Sequence, residues 1–235
     1  FAIIMDTVRR VKIAIISKST VPDASIIDPE LTLTKEPALT AATGMDVLTH
    51  AIEAYVSNAS SEVTDVNAIK AIQLVAQSLK SAVDNPKDIN HRIQMCWAST
   101  FAGMAFSNAS LGLVHAMAHS LGGYLDLPHG ECNAILLPHV IKHNFDSAIE
   151  RYSTIAKALG INIQNMSNES IKENLYEYIF NLNNSIGIPE SFKVNNISKE
   201  DLDELSENAF VDPCLLTNPK MVTINEIADL YAKTL

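Results

Sequence analysis

The chain has 235 residues, 47% of them apolar, and a formal net charge of −10; it can bury a sizeable core in one large domain or two small ones. The negative balance counts against a nucleic-acid partner, which rewards clustered Lys and Arg. No segment approaches the ~20 unbroken apolar residues of a membrane span. Three cysteines without C-x-x-C spacing, and no secretory leader pattern, fit a reducing, cytoplasmic compartment better than a disulfide framework. The chain begins at Phe1 rather than Met, which reads as a non-native start.

Residues 1–37 differ from the rest. The run Val11, Lys12, Ile13, Ala14, Ile15, Ile16 is rich in β-branched side chains and predicts a strand. After a turn at Val21-Pro22-Asp23, Ala24 to Ile27 predicts a second short strand, ended at Asp28-Pro29 because proline cannot donate to a ladder. A lone two-stranded ribbon is marginal in water. These strands are therefore expected to belong to a sheet that this sequence does not contain; a β-arm packed on the helices or swapped with a neighbouring chain is the alternative. Helical spacing then takes over, over 38–58, 62–83, 88–108, 111–124, 129–143, 146–159, 168–186, 199–210 and 223–234. Ser198 with Asp201, and Thr223 with Glu226, have capping-box spacing. Gly160 and Gly187 suit helix C-termini, and Pro128 sits just before a helix start. The fold class is mainly α with a short β segment.

Asp46 and His50 stand four apart, so they share one helix face; the same holds for His115 and His119. His129 follows shortly after. Two or three helices meeting through these faces could aim a carboxylate and several imidazoles at one point, a donor set that suits Fe²⁺ or Zn²⁺. With Asp46, His50, His115 and His129 as ligands, the first shell carries net charge +1, which leaves the ion Lewis-acidic. Spacing alone equally allows His119 to be the fourth ligand and His129 a bystander.

Blander readings compete. D-x-x-x-H is common on amphipathic helices as a solvated pair. His139 and His143 repeat the H-x-x-x-H spacing, and His143-Asn144 looks like a helix end, where the dipole favours a cation; that pair reads as structural, and His91 as solvated. His115 and His119 differ in being set among Leu113, Val114, Ala116, Met117 and Ala118, with Gly112, Gly122 and Gly123 nearby. No G-x-G-x-x-G, phosphate-binding loop or nucleophile elbow is present.

The segments ALTAATGMDVLTHAIEAYVS, FSNASLGLVHAMAHSLGG and PHGECNAILLPHV resemble those of the iron-containing (group III) alcohol dehydrogenases. Within that family they are similar to the branch holding lactaldehyde:1,2-propanediol oxidoreductase and 1,3-propanediol dehydrogenase, and the likeness runs from about residue 10 to the C-terminus. It implies a dehydroquinate synthase-like fold, with residues 1–37 the last strands of a dinucleotide-binding domain that is otherwise absent and residues 38–235 a helical metal-binding domain. It implies metal ligation by Asp46, His50, His115 and His129. His119 is then placed off the metal, near the nicotinamide, as a positioning or proton-relay residue. Phe106 and Cys214 would border the substrate pocket. The implied cofactors are Fe²⁺, with Zn²⁺ as the alternative, and NAD(P) in the intact enzyme. The implied reaction interconverts a short alcohol or diol and its aldehyde, in a homodimer. Against this stand a metal-dependent hydrolase or lyase on a related fold, and a non-catalytic metal-binding or oligomerising helical domain. Without the phosphate-binding loop the chain alone is expected to bind NAD weakly or not at all.

Overall fold

A computed structural model describes residues 2–8, 11–15, 17–192 and 197–235. Strand β1 (Ala2–Asp6) pairs antiparallel with β2 (Val11–Ile15), Ala2 opposite Ile15 and Asp6 opposite Val11. The strand expected from Val11 therefore forms; its last expected residue, Ile16, lies outside the described residues. Its partner is the upstream run Ala2-Ile-Ile-Met-Asp6, whose strand character was not anticipated. The strand expected over Ala24 to Ile27 does not form, and residues 24–28 have no regular structure. Pro22 and Pro29 bracket this segment and remove ladder donors, and Ile26 is 95% exposed, so no face is buried to hold a strand. Asp28 instead caps a 3-10 turn, Pro29–Thr32, by accepting from the Glu30 amide.

The helices follow in the expected order: α1 (Pro37–Val56), α2 (Glu62–Asp84), α3 (Ile89–Ala109), α4 (Leu113–Tyr124), α5 (His129–Asn144), α6 (Ile149–Ala158), α7 (Asn168–Ser185), α8 (Lys199–Phe210) and α9 (Ile224–Ala232). Both predicted capping boxes form at Ser198 and Thr223. Ser61 and Thr64 make a further one, hidden from pattern reading because the N3 residue is Thr rather than Glu or Gln. Gly160 and Gly187 adopt positive φ, +88° and +82°, just beyond α6 and α7.

Helices α1, α2 and α3 pack on one another, each against the other two. On α1 the stripe Met45, Leu48, Ile52 is fully buried, and it joins Ile72, Val75 and Leu79 of α2 in one core. Burying each such side chain stabilises the fold by about 1.5–3 kcal/mol. The buried Arg92 of α3 clamps one end of this layer, donating to Thr40 Oγ1 at 2.8 Å, the Pro86 carbonyl at 2.9 Å and the Lys35 carbonyl at 3.1 Å. At the other end Phe106 of α3 stacks on His50 of α1, ring centroids 4.4 Å apart. Helices α1 and α3 thus run in the same sense. Helix α5 lies on α1, α4 and α7, and β2 runs alongside α4. Among the described residues no helix is long and apolar enough to cross a membrane.

Candidate metal centre

Three helices bring the predicted residues together. Asp46 and His50 lie one turn apart on the flank of α1, beside its buried stripe. His115 and His119 lie one turn apart on α4, and His129 is the first residue of α5. The entry of α5 is fixed by Gly130, where a Cβ would fall 2.4 Å from the Ala42 backbone oxygen. Only a residue without a side chain lets the first turn of α5 approach α1 so closely, and this approach carries His129 to Asp46.

Asp46 Oδ1 stands 3.6 Å from His50 Nδ1, 3.5 Å from His115 Nε2 and 3.7 Å from His129 Nε2. Donor atoms held at ~2.0–2.2 Å around a common tetrahedral centre are separated by roughly 3.3–3.6 Å, so the separations from Asp46 come near those of a ligand shell, while His129 lies outside the group of mutually close donor atoms that Asp46, His50 and His115 form. The His50 and His115 rings are 4.3 Å apart, and those of His115 and His129 5.4 Å. His119 lies beside the set: its ring stacks on His129 at 5.3 Å and meets His115 edge-on at 6.0 Å. Its Nδ1 turns away to Asp212 Oδ2 at 2.9 Å. Asp46, His50 and His115 form one group of mutually close donor atoms, and His119, Asp212 and Cys214 form another. Phe106 covers His50, and Cys214 is buried beside Asp212, whose Oδ1 accepts from the Cys214 amide.

Three further residues complete the site and were missed in the sequence. Glu53 is buried, and its carboxylate accepts from His115 Nδ1 at 2.7 Å and from the amides of Gly112, Val114 and His115 at 3.0, 2.6 and 3.4 Å. It satisfies orphan donors at the start of α4 and fixes the ring that faces Asp46 through Nε2. A Cβ at Gly112 would stand 2.9 Å from Glu53 Oε1, so this glycine too is set by close approach. Glu53 lies seven residues after Asp46, two turns along the same face of α1, which is the signal that could have found it. Asn133 places Nδ2 2.6 Å from Asp46 Oδ1 and 3.2 Å from both His115 Nε2 and His129 Nε2, while its buried Oδ1 has no hydrogen-bond partner among the described residues. The amide nitrogen thus sits at the point on which Asp46 Oδ1 and the Nε2 atoms of His115 and His129 converge. Asp212 is the third; only its Asp-Pro cap pattern marks it in the sequence.

The electrostatics agree with a cation site. Burial works to raise the Asp46 carboxyl, yet the imidazoles of His50, His115 and His129 hold it far below the usual carboxylate range. Burial pushes His50 down to about 4 against the pull of Asp46, so its ring is neutral at pH 7. His115 is also desolvated, but its bonds to Asp46 and Glu53 win and raise it to about 9. Burial and the neighbouring Asp212 push the Cys214 thiol upward.

The other histidines stay apart. His139 meets the Tyr176 ring edge-on at 5.5 Å, and His143 Nε2 is 3.8 Å from Glu226 Oε1. His91 is partly exposed, 3.9 Å from Asp88.

Residues 40–235 match the model of the Fe-containing alcohol dehydrogenase family, C-terminal. The chain is similar to an NAD-dependent methanol dehydrogenase of Bacillus methanolicus (40% identity; 100% of this chain, 61% of the relative). It is also similar to a 1,3-propanediol dehydrogenase of Klebsiella pneumoniae (42% identity; 97% and 59%). Among solved structures it superposes on a 1,3-propanediol oxidoreductase with a TM-score of 0.88 (43% identity; 92% of this chain, 56% of that one). It superposes on an archaeal halo-thermophilic alcohol dehydrogenase from a Red Sea brine pool with a TM-score of 0.92 (29% identity; 100% and 60%). The chain spans about three fifths of the length of these relatives.

Proposed function

Because the chain belongs to the Fe-containing alcohol dehydrogenase family, of which it carries the C-terminal part, we propose that it is the metal-bearing portion of an oxidoreductase. The whole protein would interconvert a short alcohol or diol and its aldehyde with a nicotinamide cofactor. The observation that carries this reading is the convergence of His50, His115 and His129 on Asp46, whose Oδ1 lies 3.6, 3.5 and 3.7 Å from a ring nitrogen of each. These four residues hold the ion. Fe²⁺ is favoured over Zn²⁺ by the family's description, since the donor set accepts both. Bound there, the ion supplies a Lewis acid that polarises the substrate oxygen.

The chain's own side chains do the rest. Glu53 holds His115 by Nδ1, so that its Nε2 presents a lone pair beside Asp46. His119 is held off the four-residue set by Asp212 and serves as the group that takes the alcohol proton, or returns it in aldehyde reduction. Phe106 and Cys214 wall the substrate space and exclude water from one side. In the whole protein NAD(P) would supply the redox chemistry, a reading supported by the name of the similar methanol dehydrogenase, which is NAD-dependent. Residues 1–37 go with the dinucleotide-binding part and residues 38–235 form the metal-binding domain. We place the protein in the cytoplasm, in keeping with three cysteines that show no C-x-x-C spacing, and as a homodimer, because the two-stranded ribbon of the described residues offers edges to a further strand; a monomer by light scattering would contradict the last point.

The functional test is turnover of a short diol with NAD by the whole protein, purified without oxygen and supplied with Fe²⁺, beside His119→Ala. Metal-dependent NADH formation, slowed by about 100-fold or more in His119→Ala with its metal content intact, is the expected result. Metal-dependent hydrolysis without NAD reduction would contradict the assignment, as would His119→Ala with wild-type turnover.

A further inference from the structure

We propose that Asp212 is the positioning residue that sets the tautomer of His119, keeping hydrogen on Nδ1 and the lone pair on Nε2. This inference rests on the reading of His119 as the proton-transfer group. The neutral imidazole has one donor and one acceptor nitrogen, and which is which follows from the partner that one of them meets. Here Nδ1 meets Asp212 Oδ2 at 2.9 Å, with both side chains buried, 5% and 8% exposed. A carboxylate offers only lone pairs, so Nδ1 must be the donor, and Nε2, across the ring, is left as the acceptor. A ring in the opposite tautomer could not take a proton at Nε2.

Asp212 is itself immobilised. Its Oδ1 accepts from the Cys214 amide at 2.8 Å and caps the 3-10 turn Pro213–Thr217. That turn is tied to the start of α4, because Thr217 Oγ1 donates to the Leu111 carbonyl at 2.6 Å and Asn218 Oδ1 accepts from the Leu113 amide at 3.2 Å. Carboxylate and imidazole are thus fixed on two elements bound to each other, and no rotation of Asp212 can release the ring without uncapping the turn. The arrangement parallels His115 and Glu53 one turn earlier on α4. Two carboxylates on different elements each hold an Nδ1, so the two rings offer Nε2, one beside Asp46 and one to the substrate. During alcohol oxidation the substrate O–H bond breaks and an Nε2–H bond forms, and the resulting imidazolium is stabilised by the Asp212 charge through the Nδ1–H bond.

The discriminating variant is Asp212→Asn. The amide oxygen can still cap the Cys214 amide, while its NH₂ then faces Nδ1 and favours the wrong tautomer. The whole protein, with diamagnetic Zn²⁺ as probe metal and ¹⁵N-labelled histidine, reports the His119 tautomer by NMR; the Fe²⁺ form reports turnover. The expected result is a protonated Nδ1 in wild type, a shift to protonated Nε2 in Asp212→Asn, unchanged metal content, and kcat lower by about 100-fold or more with KM little altered. Wild-type kcat in Asp212→Asn would overturn the inference, and so would a kcat loss with the ¹⁵N pattern of His119 unchanged. If His119→Ala is slow while Asp212→Asn is not, this inference alone fails; if His119→Ala turns over normally, the reading beneath it fails.

Discussion

Two pairs of histidines four residues apart occur in this chain, and the fold treats them differently. His115 and His119 on α4 each give Nδ1 to a buried or nearly buried carboxylate, Glu53 or Asp212, and His115 meets Asp46 across the helix packing. His139 and His143 on α5 meet the edge of Tyr176 and, at 3.8 Å, Glu226, a half-exposed carboxylate already paired with Lys220. Spacing places side chains on a face; what that face meets decides whether the pair can hold an ion. The first pair faces two other helices that bring an anion and further imidazoles. The second faces aromatic surface and lysines; burial, and after it the lysine charges, lowers both imidazoles.

Breaking the first set should have the largest effect. Asp46→Asn removes the one carboxylate among the four proposed ligands and should abolish metal retention through gel filtration, measured by elemental analysis. Gly130→Ala should come close to it without touching a ligand, because the added Cβ forces α5 off Ala42 and carries His129 away; metal content equal to wild type would show that the close approach is not needed. Glu53→Gln should weaken metal binding by about 10–100-fold, the usual cost of losing a second-layer carboxylate, read by competition with a chelator. His139→Ala and His143→Ala should leave metal content unchanged, and any ion loss there would erase the contrast between the pairs.

The pH dependence sharpens the comparison. With its ring raised to about 9, His115 carries a proton at pH 7 in the metal-free site and must lose it to bind an ion. Affinity should therefore rise with pH up to about 9, with about one proton released per ion from this ring at pH 7. His50, held near 4, is already neutral and contributes no proton there. Calorimetry in buffers of differing ionisation enthalpy checks this, and no proton release would contradict it.

The helices were legible because their ends are written locally. Ser198, Thr223, Gly160, Gly187 and Pro37 mark starts and stops through hydrogen bonds and φ preferences that need no tertiary partner. The five residues Asp46, His50, His115, His119 and His129 were legible as candidates through spacing. Spacing left the choice between His119 and His129 open; in the structure His129 faces Asp46 and His119 faces Asp212. Glu53, Asn133 and Asp212 escaped because a carboxylate or amide gains its meaning from a partner up to 93 residues away. The strand expected over Ala24 to Ile27 failed for the converse reason. Its composition suits a sheet, but pairing depends on a partner strand, and among the described residues β1 and β2 pair only with each other.

The most direct test of the account is metal stoichiometry of the whole protein, purified without oxygen, for wild type and His129→Ala in parallel. About one iron per wild-type chain, lost in the variant, is predicted from the four-ligand shell. Iron retained in His129→Ala, or none in wild type, would contradict it.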